Sequence, residues 1–82
     1  MIKKTTVAQL RQRIARDLAM QLLKNRGILN NPDASEQLRN YARGGMATAR
    51  QLIKWQIWSD FSMRDLIVAE YRRCLVAFPP TP

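Results

Sequence analysis

Histidine is missing from the 82-residue sequence, and cysteine occurs once, as Cys74. Without histidine, the commonest general base and proton shuttle is not available. A single thiol forms neither an intrachain disulfide nor a thiolate metal cluster. No glycine-rich phosphate loop follows a strand-like pattern either. These absences exclude the usual catalytic, nucleotide-binding and metal sites, so we expect a protein that is not an enzyme and has no cofactor, no metal and no catalytic residue.

Long apolar runs and acidic residues are also scarce. Charged residues interrupt the segment VAQLRQRIARD after the N-terminal lysines, so the sequence predicts neither a signal peptide nor a membrane span. We therefore expect a cytoplasmic protein that does not contact a membrane. Only 6 Asp and Glu oppose 14 Lys and Arg, which gives a net charge of +8. Residues 1–31 hold seven of the basic residues and one acidic residue, so the positive charge is concentrated towards the N-terminus.

The apolar residues are nevertheless numerous, at 46% of the chain. This content is too high for a disordered tail and predicts one folded domain over residues 1–82, with a short basic N-terminus and a proline-rich tail at 79–82. A chain of this length buries only about 60 to 65% of the surface that its unfolded form exposes. Additional support from a homo-oligomer or a hetero-complex is therefore expected.

Helical spacing predicts an all-α fold, a small three-helix bundle with helices at roughly 6–26, 32–58 and 62–77. In the first helix, Thr5 or Thr6 can cap the N-terminus and Gly27 suits a left-handed stop. Its apolar face is predicted to consist of Val7, Leu10, Ile14, Leu18 and Leu22. Arg11 falls within this face and must therefore snorkel or form an ion pair.

The second helix is predicted to begin with Asn31 as its cap and Pro32 in its first turn. Gly44 and Gly45 each cost about 1 kcal/mol relative to alanine in a helix, so a bend there is one alternative. The apolar sector keeps its phase across the glycines, which favours one continuous helix with another backbone close by. The residues of this sector are Ala34, Leu38, Tyr41, Ala42, Ala49, Leu52, Ile53 and Trp55.

The third helix has a predicted capping box and hydrophobic staple in the segment FSMRDL. Ser62 and Asp65 would form the box, and Phe61 would pack on Leu66. The rest of the helix is apolar almost all round, which is typical of the centre of a bundle or of an interface. The predicted partner or oligomer interface consists of Leu66, Ile67, Tyr71, Leu75 and Phe78.

Basic side chains form two predicted stripes. On the second helix Arg39, Arg43, Arg50 and Lys54 lie within about 60° of one another over a length of about 22 Å. We call these four residues the basic stripe. On the first helix, Arg13, Arg16 and Lys24 lie opposite the apolar face. Trp58 either stacks on a base or a guanidinium group, or packs under the following turn.

Two functions agree with this pattern. The first is a small basic helical protein that binds DNA or RNA phosphates, or a nucleoprotein complex, through the two stripes and Trp58. A helix-turn-helix with its turn at residues 58–62 is not favoured, because the next helix begins with apolar residues unsuited to base edges. The alternative is an inhibitor or adaptor, of the type carried by phages and mobile elements. It would dock on an acidic surface of a host protein through the last helix and its arginines.

Overall fold

The predicted all-α, three-helix bundle is confirmed by the computed structural model, which describes residues 6–77. The helices are α1 (Val7–Asn30), α2 (Glu36–Ser59) and α3 (Met63–Ala77). Phe78, the proline-rich tail and the N-terminal lysines lie outside the described residues, and so do the predictions made for them.

α1 begins as the sequence predicts, with Thr6 as its cap. The Thr6 hydroxyl accepts a hydrogen bond from the Gln9 backbone N–H at 3.1 Å, and the Gln9 side chain accepts one from the Thr6 N–H at 3.0 Å. This reciprocal arrangement is a capping box, which satisfies two backbone donors that the helix leaves free. Thr6 is one of the two caps that the sequence predicts, so the pattern places this end to within one residue.

The predicted end of α1 at Arg26 is wrong, because the helix continues to Asn30. Gly27 has no left-handed conformation, since no described glycine has a positive φ. The reason is tertiary: Ile28 and Leu29 are half-buried in the continued helix, and this burial outweighs the helix penalty of one glycine, about 1 kcal/mol.

The predicted start of α2 at Pro32 is also wrong. Asn31 ends α1 instead, and its side-chain oxygen accepts a hydrogen bond from the Asp33 N–H at 3.0 Å. This bond and the one from the Ala34 N–H to the Asn31 carbonyl close a single turn that does not continue into a helix. Ser35 takes that role and accepts from the Leu38 N–H at 3.1 Å, so α2 starts at Glu36.

Continuity of α2 through Gly44 and Gly45 is confirmed. A Cβ at Gly44 would meet nothing within 4 Å, whereas a Cβ at Gly45 would lie 2.7 to 2.9 Å from three atoms of the Asn25 side chain. Asn25 is buried in α1 and donates to the Gln21 carbonyl at 2.9 Å. A side chain, and not the backbone expected from the sequence, therefore makes the close approach.

Small residues bring the helices together. On α2, Ala42 and Ala49 are fully buried on either side of Gly45, and on α1, Ala15 and Ala19 are fully buried too. Small side chains allow helix axes to approach closely. α1 packs against both other helices, which make few contacts with each other. The centre of the bundle is therefore α1, which corrects the prediction that α3 could occupy it.

The core is correspondingly thin. Its buried cluster contains Ala15, Leu18, Met63 and Ile67, and half-buried residues of all three helices pack around it. Among the described residues, Met63 is the largest side chain that is fully buried. Large apolar side chains outside this cluster are therefore left in contact with water or available to a partner.

A polar cluster joins the start of α1 to the connection between α2 and α3. Arg11 forms an ion pair with Asp60 at 2.8 Å and a hydrogen bond with Ser62, which confirms that Arg11 pairs. The Ser62 hydroxyl donates to Asp60 at 2.6 Å. We call these three residues the Arg11 clasp.

The predicted capping box of α3 is not formed, and Phe61 of the predicted staple is largely exposed. Because Ser62 is held by Asp60 and Arg11, its hydroxyl makes no hydrogen bond with Asp65 within residues 6–77. Phe61 is 74% exposed, so it gains little cover from Leu66. An interaction with α1, far away in sequence, has replaced the local cap.

Candidate nucleic-acid interface

Most of the basic side chains in residues 6–77 have no acidic partner. The three ion pairs there join Arg11 to Asp60, Arg43 to Glu36 and Arg73 to Glu70. The basic residues outside these pairs are Arg13, Arg16, Lys24, Arg26, Arg39, Arg50, Lys54, Arg64 and Arg72. Unneutralised charge of this kind attracts polyanions from solution.

The basic stripe divides into two parts of different character. In the N-terminal part, Arg39 is half-buried and donates to the carbonyls of Asn31 and Pro32 at 3.1 and 3.3 Å. Arg43 donates to Asn40 at 2.7 Å and to Glu36 at 3.3 Å. These two arginines stabilise the connection before α2 and its first turns, so their guanidinium groups are already partly engaged.

In the C-terminal part of the stripe, Arg50 and Lys54 are exposed and form neither an ion pair nor a side-chain hydrogen bond within residues 6–77. α2 has no Asp or Glu between Gln37 and Ser59. The carboxylates at the two ends of this helix, Glu36 and Asp60, are already paired with Arg43 and Arg11. Arg50 and Lys54 are the members of the stripe best placed to contact phosphate.

Arg50 also borders a groove where the three helices meet. This groove of about 420 Å³ is lined by Leu22, Arg26, Met46, Arg50 and Tyr71. Arg26 donates to the Tyr71 hydroxyl at 2.8 Å, so a second guanidinium group lies beside Arg50. Sequence reasoning missed Arg26, although its position four residues after Leu22 places it on the edge of the apolar face of α1.

Arg13 and Arg16 lie in a different groove, between α1 and α3. The groove has a volume of about 400 Å³ and is lined by Gln9, Gln12, Arg13, Arg16, Glu70, Arg73, Cys74 and Ala77. Glu70 is buried and accepts from Gln12 at 3.1 Å and from Arg73 at 3.2 Å. Arg73 was missed too, and its spacing of three from Glu70 is the signal that could have identified it.

Lys24, the third predicted cation of α1, does not join Arg13 and Arg16. It lines a shallow depression with Asp17, Met20, Gln21 and Leu23, and another that includes Gly27 and Pro32. The nearby Asp17 carboxylate lowers the local positive potential. The predicted stripe on α1 is therefore divided in the structure. Arg13 and Arg16 line one groove together, and Lys24 lies apart from them.

Two tryptophans lie exposed next to the free cations of α2. Trp58 is 79% exposed, so it does not pack under the following turn, and Trp55 is 62% exposed. Their ring centroids are 5.4 Å apart with the planes tilted by 35°. The sequence placed Trp55 in the apolar sector of α2. We define the outer face of α2 as its exposed surface, which extends round about half of the helix at about 100° per residue and contains Tyr41, Arg50, Leu52, Lys54, Trp55 and Trp58.

The predicted interface on α3 is partly used inside the bundle. Ile67 is 5% exposed and belongs to the core, and Leu66 packs against it. Tyr71 and Leu75 are half-buried. The exposed apolar side chains of α3 are instead Val68 and Val76, at 41% and 84% exposure. The amount of apolar surface on α3 that could meet a partner is therefore smaller than the sequence indicates.

The Arg11 clasp has an electrostatic signature. The hydrogen bond donated by Ser62 holds the pKa of Asp60 below its ordinary value of 3.8, and the charge of Arg11 acts in the same direction.

Within residues 6–77, no three His, Cys, Asp or Glu side chains come together as a metal site. No helix in the described part of the chain is long and apolar enough to cross a membrane.

Comparisons with models of protein families, with curated proteins and with solved structures gave no match to this chain.

Proposed function

We propose that this protein is a non-catalytic helical binding protein whose ligand is nucleic acid, contacted mainly through its phosphates. The observation that carries the proposal is the outer face of α2, where Arg50 and Lys54 are exposed without acidic partners in residues 6–77. Cations in this state exchange counterions for phosphates, which provides most of the affinity of non-specific nucleic-acid binding.

Arg13 and Arg16 provide a second set of phosphate contacts in this proposal. Both are exposed in the α1–α3 groove, while the buried Glu70 carboxylate there is already bonded to Arg73 and Gln12. Arg39 and Arg43 have mainly a structural role, because they bond to the start of α2 and the preceding connection. Lys24 contributes only long-range attraction.

A second candidate function is docking on another protein, as an inhibitor or adaptor. Four large apolar side chains in contact with solvent favour this function: Tyr41 at 74% exposure, Leu52 at 48%, Trp55 at 62% and Phe61 at 74%. Aromatic side chains surrounded by arginine are typical of the centre of a protein interface. The thin core supports a partner as well. Such a partner would need an acidic surface to match the net charge of +8.

The experiment that tests the first proposal is a titration of nuclease-treated protein into labelled duplex DNA, single-stranded DNA and RNA at about 50 and 200 mM salt. We expect affinity to fall with salt, with a log–log slope of about 3 to 4 for duplex DNA, since about four phosphates are neutralised. Absence of binding to all three at the lower salt concentration would reject the proposal and favour the docking function.

A further inference from the structure

The C-terminal half of the outer face of α2 combines two accessible indole rings with free cations. Trp55 and Trp58 are 62% and 79% exposed and lie against each other at 5.4 Å between ring centroids. Arg50, Lys54 and Trp58 follow one another at intervals of four residues, so the two cations and one of the rings lie along the same side of the helix. The core does not explain these rings, because α2 packs on the bundle through the small residues Ala42, Gly45 and Ala49 and the half-buried Ile53 and Ile57.

We infer that the Trp55–Trp58 pair stacks on the unpaired bases of single-stranded nucleic acid while Arg50 and Lys54 hold the adjoining phosphates. The inference rests on the proposed function and adds that the nucleic acid is single-stranded. In a duplex, the flat face of each base is covered by its neighbours, so an indole ring on a protein surface has no base face to stack on. In a single strand the base faces are open, and every base offers one.

The charge of this face decides between its possible occupants. In a two-fold contact between copies of this chain through this face, Arg50 and Lys54 would meet their own counterparts, and α2 has no Asp or Glu between Gln37 and Ser59 to offset them. Like charges across an interface oppose association. A flexible polyanion with flat apolar groups satisfies both the cations and the rings. Single-stranded nucleic acid has this chemistry.

The mutual contact of the two rings also favours this function. Contact between aromatic rings restricts both side chains before a ligand binds, so less conformational entropy is lost on stacking. The rings retain free surface, as their exposure shows. The pair therefore forms a platform for bases next to a line of cations, which is the arrangement that binds single strands with little dependence on sequence.

The test compares three DNA ligands of equal length, about 20 nucleotides. They are a thymidine homopolymer, an abasic strand with the same phosphates, and a duplex. The variants are Trp55→Leu/Trp58→Leu, which keeps apolar bulk without an aromatic face, and Trp55→Phe/Trp58→Phe, which keeps one. Fluorescence anisotropy at about 50 mM salt gives the affinities, and circular dichroism confirms that each variant is folded.

We expect wild-type protein to bind the homopolymer more tightly than the abasic strand or the duplex. The leucine variant should lose about tenfold or more in affinity for the homopolymer, and the phenylalanine variant less than about threefold. Affinity for the abasic strand should be the same in all three proteins, because Arg50 and Lys54 are unchanged.

Equal affinity of the leucine variant and the wild type for the homopolymer would overturn the inference and leave phosphate binding intact. Sedimentation of both proteins adds a second readout. A leucine variant that is monomeric where the wild type is dimeric, with unchanged homopolymer affinity, would assign the tryptophans to self-association. No binding of any strand would overturn the proposed function together with the inference.

Discussion

The two faces of α2 differ in the opposite way from those of an ordinary bundle helix: the buried face has small residues, and the exposed face has large aromatic ones. The face against α1 has small residues, and Ala42 and Ala49 there are fully buried. The outer face has Tyr41 and Trp58 at 74% and 79% exposure. Large aromatic side chains usually supply most of a core's stability. In this protein the close packing of α2 comes from small side chains, and its aromatic side chains are left for contacts outside the bundle.

The largest expected effect follows from enlarging the buried face. Ala49→Leu adds three carbon atoms where the helices already touch, and overpacking of this kind costs about 1 to 3 kcal/mol of unfolding free energy. Leu52→Ala on the outer face removes the same number of atoms from a side chain that is 48% exposed, and should cost less than about 1 kcal/mol.

Urea unfolding followed by circular dichroism measures both variants. A Leu52→Ala variant that loses as much stability as Ala49→Leu would show that the outer face is covered in the free protein. The distinction between the two faces of α2 would then be lost.

The next largest effect distinguishes two adjacent glycines. Gly44→Ala should raise the unfolding free energy by about 0.5 to 1 kcal/mol, because alanine favours helix and its Cβ would meet open space. Gly45→Ala should be less stable than Gly44→Ala by about 1 to 2 kcal/mol, because Asn25 must move and break its bond to Gln21.

Thermal and urea unfolding of the two alanine variants, side by side, provide the comparison. Equal stabilisation by both substitutions would contradict a close contact between α1 and α2 at Asn25. The Gly45→Ala/Asn25→Ala double variant is a further control and should recover much of the difference, since alanine at 25 leaves room for the new Cβ.

A smaller, pH-dependent effect concerns the Arg11 clasp, which fixes the C-terminal end of α2 to α1. The pKa of Asp60 is lowered in the folded protein by the hydrogen bond from Ser62 and by Arg11. A lowered folded pKa favours the charged form, so this contribution to stability is present above the ordinary value of 3.8 and is lost as pH falls through the lowered value.

We therefore expect Asp60→Asn to be less stable than wild type at neutral pH, with a difference that shrinks as the pH falls below about 4. Urea midpoints measured from pH 7 downwards test this, and Ser62→Ala should remove part of the same pH dependence. A difference between wild type and Asp60→Asn that is constant across this range would show that the clasp does not depend on the Asp60 charge.

The sequence predicts features that depend on neighbours along the chain. The cap at Thr6 and the continuity of α2 through its glycines are both local, and both are confirmed. The end of α1 was wrong because burial of Ile28 and Leu29 overrides the preference of Gly27. The cap of α3 was wrong because Ser62 bonds to Arg11, a residue of another helix that no local pattern includes.

In the candidate site, too, the features set by neighbours along the chain were predictable and those set by contacts with other parts of the fold were not. Helical spacing correctly placed Arg50 and Lys54 on one exposed side, yet it could not show that Arg39 bonds to the carbonyls before α2. The apolar sector of α2 is wider than the contact with α1. Periodicity does not indicate which part of a wide sector is buried, and Trp55 belongs to the predicted apolar sector although it is exposed.

The most direct measurement of the central claim compares two variants with the same change in net charge. Arg50→Glu/Lys54→Glu reverses the cations of the outer face, and Arg64→Glu/Arg72→Glu reverses two exposed cations of α3 that also have no acidic partner in residues 6–77. Both are titrated into the same single-stranded DNA at about 50 mM salt. We predict a loss of about 100-fold or more for the first variant and less than about tenfold for the second. Equal losses would contradict a binding site on α2 and show that affinity follows net charge alone.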